Sequence, residues 1–284
     1  MSKNASVLMR LQTPRGKPYL LLAIETMRIK ENLSLRYLAG YGVEFGPLNN
    51  PLPVDEDKAR VIYADRLSKS NALAIFPELM DLAAGIIDPD LIVDFNDPQR
   101  LRSLRSHNFD FLIANHFIEH LANPVQFLEG CSETLTTGGL LFLTVPNKEH
   151  TFDKQRKLTS NEHLWQDYQN GESIISKAHL RDFLLNKEAV RSPHPEVVKY
   201  FDKHGLPLSY YNGNKLPLNP LKRKRLYDFH RERSIHVHVW NRKSFDNFLT
   251  WTIEKLNLRF EILETHLPED VEEEMIYVIE KTAR

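Results

Sequence analysis

Cysteine is almost missing from this chain: Cys131 is the one thiol in 284 residues. No intrachain disulfide is possible, and a reducing, cytoplasmic compartment is the expectation. Net charge is also close to nil, -1 from 37 Lys and Arg against 38 Asp and Glu, so no global field points to nucleic acid or a membrane surface. Long hydrophobic runs are absent. The longest, such as YLLLAI and GLLFLTV, fall far short of the roughly 20 apolar residues a membrane helix needs. The opening MSKNASVLMRLQTPRGK has no apolar signal-peptide core. There is no internal repeat and no low-complexity segment. These absences predict a soluble protein with no stable membrane insertion and no nucleic-acid partner. What is present is ordinary globular composition, 42% hydrophobic and 26% charged. The length suits one large domain, or one domain carrying a sizeable insertion.

Periodicity organises the chain. Residues 17–37 read as a helix with Leu20, Ile24 and Met27 on one face, and Leu22, Ile29 and Leu33 on a neighbouring line. Strands are expected at YGVEFG (41–46), ARVIYAD (59–65), LIVDF (91–95), FDFLIAN (109–115) and GGLLFLTVP (138–146), the last opened by a Gly-Gly turn. Helical stretches alternate with them: SNALAIFPELMDLAA, a short one near DPQRLRSLR, and NPVQFLEGCSETL. That alternation predicts right-handed crossovers and a doubly wound, mostly parallel sheet with helices on both faces. A helix (244–256) and two strands joined by a PED turn end the chain, and the short turn makes those strands antiparallel. The expected divisions are an N-terminal helical segment (1–37), a ligand-binding α/β core (38–146), an insertion (147–243) and a C-terminal completion of the core (244–284). The insertion follows strand five, where open α/β sheets bind ligands, so it is placed to act as a lid or substrate pocket.

Four consecutive strands end in polar groups. Glu44-Phe45-Gly46 closes the first, where glycine admits close backbone approach to a ligand. Asp65 closes the second, a position from which an acid hydrogen-bonds ribose hydroxyls; Arg66 and Leu67 follow as pocket wall. Asp94 closes the third, placed to accept from an adenine amine, with Phe95 beside it. Asn115 and His116 close the fourth. His116-Phe-Ile-Glu119-His120 also spells the inverted zinc-peptidase signature. It follows directly from a strand, however, and Pro124 opens a new helix four residues on. The long helix such a peptidase needs does not fit, so no metal is expected, and a zinc hydrolase is only the third reading. Against the zinc reading, His120 reads as a turn histidine bonded to local backbone.

Over residues 38–146 the chain resembles the class I S-adenosylmethionine-dependent methyltransferases, in particular the group called methyltransferase type 11. Glu44-Phe45-Gly46 resembles that family's first motif, Asp65 its ribose-binding acid, Asp94 its adenine-side acid, and DFLIANHFIEHLANP its fourth-strand motif. The resemblance implies a seven-stranded sheet in the order 3-2-1-4-5-7-6, with strand seven antiparallel, and S-adenosylmethionine as cofactor. It implies a small-molecule acceptor. The first motif departs from the family: Leu48 and Asn50 stand where glycines are usual, and Pro47 and Pro51 stiffen the loop, with Pro47 expected among the cofactor contacts. The Gly-Pro form with NNPLP resembles a subgroup associated with glycosyltransferase-linked and cell-envelope sugar pathways, which implies a sugar or nucleotide-sugar acceptor.

The insertion gathers His150, Asp153, Arg156, His163, Asp167, Tyr168 and His179 within about thirty residues, and T-F-D-x-x-R-x-x-T followed by H-L-x-x-D-Y resembles the same subgroup. Methyl transfer to oxygen needs an aligned hydroxyl and a group to take its proton. His163 and His150 are the candidate bases, Asp153 the orienting acid, and Arg156, Tyr168 and His179 candidate substrate contacts. The alternative is that Asp153, Arg156 and Asp167 form an ion-pair network holding the lid. LKRKRLYDFHRER (221–233) reads as a solvated helix face or a phosphate contact. SIHVHVW (234–240) alternates, with His236 and His238 on one face of a strand that either lines the pocket or forms an edge. The leading function is O-methylation of a sugar or other small metabolite; the alternative is a non-catalytic scaffold on the same fold.

Overall fold

The computed structural model describes residues 19–188, 193–211, 213, 215–266 and 274–283. Seven strands form one sheet in the order β3-β2-β1-β4-β5-β7-β6. They are β1 (Gly40–Phe45), β2 (Ala59–Asp65), β3 (Leu91–Ile92), β4 (Phe109–Asn115), β5 (Leu135–Pro146), β6 (Phe260–His266) and β7 (Glu274–Lys281). The β1–β2, β1–β4, β2–β3 and β4–β5 pairs are parallel, and β7 runs antiparallel to both β5 and β6. The expected fold class and strand order therefore hold. The PED turn lies outside the described residues.

Helix α1 (Tyr19–Tyr37) precedes the sheet, and α2 (Lys69–Ile75), α3 (Pro98–Ser103) and α4 (Pro124–Thr134) lie in the crossovers. The insertion carries α5 (Asn161–Asn170), α6 (Lys177–Asn186), α7 (Pro195–Lys203), α8 (Leu208–Tyr211) and α9 (Pro220–Arg233), and α10 (Arg242–Leu256) leads into β6. One apolar cluster fills the sheet face that receives α4 and α10, with Phe45, Phe127, Leu143, Trp240 and Phe248 at its heart. A smaller one, with Leu33, Leu38, Phe111 and Phe142, covers the other face. A third, with Leu180, Phe183, Phe201, Leu226 and Val237, lies within the insertion. In β1 only glycine fits at position 42, because a Cβ there would stand 2.2 Å from the Phe111 ring.

Local chemistry moves several boundaries. Helix α2 stops at Phe76, because a residue before proline is driven out of the α region, and Pro77–Gly85 continues as 3-10 turns. Strand β3 is two residues long instead of five: Val93 N–H makes a last bond to Asp65 O and the chain turns at Asp94, whose carbonyl takes Asp97 N–H. The Gly-Gly pair lies inside β5, at a register shift opposite Phe109 and Phe111. On α1, Ile29 and Leu33 face the core, whereas Met27 is exposed; the side chains of Leu20, Leu22 and Ile24 are outside the described residues. SIHVHVW is not a strand. The N–H groups of Val237 and His238 both go to Glu119 O (2.7 and 3.2 Å), that of Val239 goes to Thr159 Oγ1, and only Trp240 forms a bridge, to Asn147. Its hydrogen bonds leave no ladder to build.

Candidate active site

A cavity of about 390 Å³ opens at the carboxyl ends of β1 to β4. Gly46, Leu48, Asp65, Arg66, Leu67, Asp94, Phe95 and His116 line its sheet side. Phe117, His120 and Leu121 form the floor, and Ser173, Ile174, Ile175, Arg231, Arg233 and Ser234 of the insertion face them. The parallel strands bring these residues together, since each strand end delivers its polar group to the same edge.

Asp65 Oδ1 accepts from Leu67 N–H at 3.1 Å. Burial pushes its carboxyl up, against the hydrogen bond from Leu67 and the charge of Arg66. Asp94 accepts from Asn96 N–H at 3.0 Å, and Asn96 Oδ1 takes Ala122 N–H, tying the third and fourth strand ends together. Phe95 packs edge-on against Phe117, centroids 4.9 Å apart. Gly46 has φ +61°, and a Cβ there would project to 3.3 Å from Phe117 and 3.8 Å from Asp65 Oδ2. The backbone is thus bare where a ligand would approach closest. Leu48, at a position where the resemblance leads us to expect glycine, nonetheless takes a left-handed conformation with φ 48°, and its carbonyl accepts Ile87 N–H at 2.7 Å.

Four expected ligand contacts do not line the cavity. Glu44 is buried beneath the loop, both carboxylate oxygens 3.0 Å from Leu52 N–H, and burial pushes its carboxyl up to about 7. Asn115 spans Glu44 (3.4 Å) and Thr144 (3.2 Å). Phe45 packs in the core against Phe95 and Phe127, and Pro47 closes a turn through its carbonyl to Asn50 N–H. All four shape the loop from behind. Arg66 lines the wall while its guanidinium donates to Glu232 O across to α9.

The insertion residues are sorted differently from the expectation. His150 is exposed at the end of a 3-10 turn, and neither it nor His163 reaches the cavity. Arg156, Tyr168 and His179 also do not line it. Tyr168 donates to Glu129 Oε1 at 3.1 Å and stacks on Trp165. Asp153 orients a histidine, but that histidine is His236, whose Nδ1 is 2.5 Å from Asp153 Oδ2. Burial opposes charge on Asp153, yet the His236 hydrogen bond and the charges of His236 and Arg156 outweigh it and hold its carboxyl below the ordinary value. Arg156 is almost wholly buried. It donates to Asp153 (2.8 Å), to Asp182 through Nε and Nη2 (3.0 and 2.9 Å), and to the carbonyls of His236 and Val237.

Behind the cavity floor lies a group that sequence reasoning did not assemble. Glu119 is 1% exposed, and neither carboxylate oxygen has a hydrogen-bond partner; burial pushes its carboxyl up. His116 Nδ1 and His120 Nε2 each stand 3.7 Å from Glu119 Oε1. The remaining ring nitrogens are engaged: His116 Nε2 with Glu274 Oε2 at 2.5 Å, and His120 Nδ1 donating to Ile235 O at 2.9 Å. Burial opposes protonation of His116, but the Glu274 hydrogen bond and the charges of Glu119 and Glu274 prevail and raise its pKa. Burial and the neighbouring His236 press His120 down to about 3, so its imidazole is neutral. The rings of His120 and His236 meet edge-on at 4.9 Å. Glu119, His120 and His236 offer ligand atoms within 4.8 Å of one another, as does a second set, His163, Asp167, His179 and His238. The signals were present as H-x-x-E-H and SIHVHVW, but only the fold lays one across the other. The cavity-facing Arg231 and Arg233 came from the basic run, whose helix α9 otherwise buries Leu226, Tyr227, Phe229 and His230.

Residues 61–143, from β2 into β5, match the family model described as a methyltransferase domain. No curated protein matches the chain. Among solved structures, an S-adenosylmethionine-dependent methyltransferase from Methanosarcina mazei is 14% identical, with 88% of this chain and 96% of that one covered and a TM-score of 0.40. One from Clostridium acetobutylicum is 9% identical, with 91% and 90% covered and a TM-score of 0.42. A protein from Rhodobacter sphaeroides, assigned provisionally to the zinc-dependent alcohol dehydrogenases, is 12% identical, with 90% of each chain covered and a TM-score of 0.45. These likenesses are too distant to carry function. Among the described residues, no helix is long and apolar enough to cross a membrane.

Proposed function

We propose that this chain binds S-adenosylmethionine in the cavity and methylates an oxygen of a small-molecule acceptor, a sugar or another small metabolite. The observation that carries this reading is the two-sided cavity. Acids, a bare glycine and His116 stand on its sheet side, and the His120 imidazole, backed by the buried Glu119 carboxylate, stands on its floor. S-adenosylmethionine supplies an electrophilic methyl group on a sulfonium. Asp65 would take the ribose hydroxyls, Asp94 the adenine amine and Phe95 the ring, while the Gly46–Leu48 backbone accommodates the amino-acid end. Glu44 and Asn115 hold that loop in place. The resemblance of the NNPLP loop to a sugar-pathway subgroup supports a sugar acceptor, and Arg231 and Arg233 would suit one that carries phosphate.

On the acceptor side, His120 keeps its Nδ1 proton on Ile235 O, which leaves Nε2 as an acceptor at the cavity floor. A hydroxyl seated there would be oriented by His120. As the methyl–sulfur bond breaks and the methyl–oxygen bond forms, the hydroxyl proton would be released to water, since burial keeps His120 neutral. The unpartnered oxygens of Glu119 favour a second reading of the same atoms: a divalent cation held by Glu119, His120 and His236 would polarise the hydroxyl instead. Glu119→Gln separates the two, since only the second needs the Glu119 carboxylate as a ligand and loses turnover with it.

Calorimetric titration of ligand-free protein with S-adenosylmethionine and S-adenosylhomocysteine tests the reading. One site per chain is expected, and Asp65→Ala should weaken it about 10- to 100-fold, the worth of lost hydrogen bonds to a charged group. Folded protein that binds neither compound refutes it. Binding without turnover on any acceptor would favour a scaffold.

A further inference from the structure

We propose that His163, Asp167, His179 and His238 form a tetrahedral site for a divalent metal of the zinc class, separate from the cavity, which fastens the insertion to the core. The four ligands come from three segments. His163 and Asp167 sit one turn apart on α5, which places both side chains on one helix face. His179 sits on α6, and His238 on the segment between α9 and α10. Two serine caps set the helix starts. Ser160 Oγ accepts His163 N–H at 3.3 Å and Ser176 Oγ accepts His179 N–H at 3.2 Å, so each histidine occupies the third position of its helix.

The distances suit a metal. His163 Nε2 lies 2.9 Å from His179 Nε2 and 3.3 Å from Asp167 Oδ2, and His179 Nε2 lies 3.6 Å from Asp167 Oδ2. A tetrahedron with metal–ligand bonds of about 2.0–2.1 Å has edges of roughly 3.3 Å. The hydrogen bonds that are made also leave the right atoms free. His179 Nδ1 is 3.1 Å from Ser176 Oγ, which leaves Nε2 for a metal, and His238 Nε2 is 3.5 Å from Ala122 O. Such outer partners fix the tautomer and aim of metal-bound histidines.

Protein groups alone do not satisfy this cluster. Asp167 Oδ2 and His238 Nδ1 are buried without any hydrogen-bond partner, and His238 is 1% exposed. A proton shared between His163 and His179 would leave both of these atoms unsatisfied. A cation would engage all four residues together. Three imidazoles and one carboxylate suit zinc or cobalt better than the oxygen-seeking magnesium or calcium. Four protein ligands fill a tetrahedron and leave no open position, which marks a structural site. None of the four lines the cavity. His238 is two residues from His236, and its backbone N–H reaches Glu119 O, so a metal here would pin the segment that carries the imidazole behind the cavity floor.

The test uses the full chain stripped with chelator and shown to remain folded by circular dichroism. Titration with Co²⁺ should reveal one ion per chain, with the intense visible bands of tetrahedral cobalt, displaced by Zn²⁺. Metal should also raise the melting temperature. His163→Ala, at the half-exposed rim and therefore least disruptive, should weaken binding at least tenfold, and His179→Ala should do the same. Glu119→Gln should leave both spectrum and stoichiometry intact. Folded apoprotein that takes up no stoichiometric cobalt or zinc overturns the proposal. So does an octahedral spectrum, or binding that survives His163→Ala but is lost in Glu119→Gln, since that would place the ion at the cavity floor. No readout depends on methyl transfer, so this site and the proposed activity fail separately.

Discussion

Replacing Glu44 with glutamine should make the protein more stable, and the gain should grow with pH. Glu44 sits under the first loop, 1% exposed, and burial holds its carboxyl at about 7 against an ordinary 4.5, although Leu52 N–H and Asn115 favour its charge. The folded chain therefore keeps a proton that the unfolded chain releases between about pH 4.5 and pH 7. In that window the unfolded state binds fewer protons, so stability falls as pH rises. The full difference corresponds to about 3 kcal/mol above pH 7 and to little below about pH 4.5. Glutamine keeps an acceptor for Leu52 N–H and cannot ionise. Urea unfolding of wild type and Glu44→Gln at a series of pH values measures the contrast, and the difference cancels contributions from other groups. It should grow by roughly 2.5 kcal/mol between pH 5 and pH 8. A difference that stays flat with pH, or a variant less stable at pH 8, would show that Glu44 is already charged in the folded protein and that burial does not dominate.

Arg156→Ala should cost about 3–5 kcal/mol, because it strands the buried Asp153 carboxylate and frees the carbonyls of His236 and Val237. Chemical denaturation checks this, and a loss under about 1 kcal/mol would mean the network is not what holds the insertion. Leu48→Gly should be close to neutral or mildly stabilising. Relief of a left-handed leucine is worth about 1–2 kcal/mol, against about 0.5–1 kcal/mol for glycine's greater freedom when unfolded; a clear drop in melting temperature would contradict that. Gly42→Ala should destabilise by about 1–3 kcal/mol through the Phe111 clash, with the damage centred on the β1–β4 pair and readable as lost amide protection there.

The sheet was legible because its signals are local and mutually consistent. Apolar runs ending in Glu44, Asp65, Asp94 and Asn115, separated by helix-length segments, admit few arrangements other than a doubly wound sheet with those ends on one edge. Asp65 and Asp94 needed nothing further to reach the cavity wall. Glu44 and Asn115 were read as ligand contacts by the same rule, yet they turn beneath the loop, because Leu52 N–H and Thr144 provide partners from residues that no strand pattern identifies. Within the insertion, residue types were visible but partnerships were not. Asp153 was recognisable as an orienting acid, while its histidine lies 83 residues away in a segment whose alternation suggested a strand. That segment has no ladder because Glu119 O takes two of its N–H groups and Arg156 takes two of its carbonyls. Local periodicity determined the sheet and where its polar ends meet. Which imidazole faces which carboxylate was decided by hydrogen bonds between segments far apart in the chain, and only the folded structure brings those together.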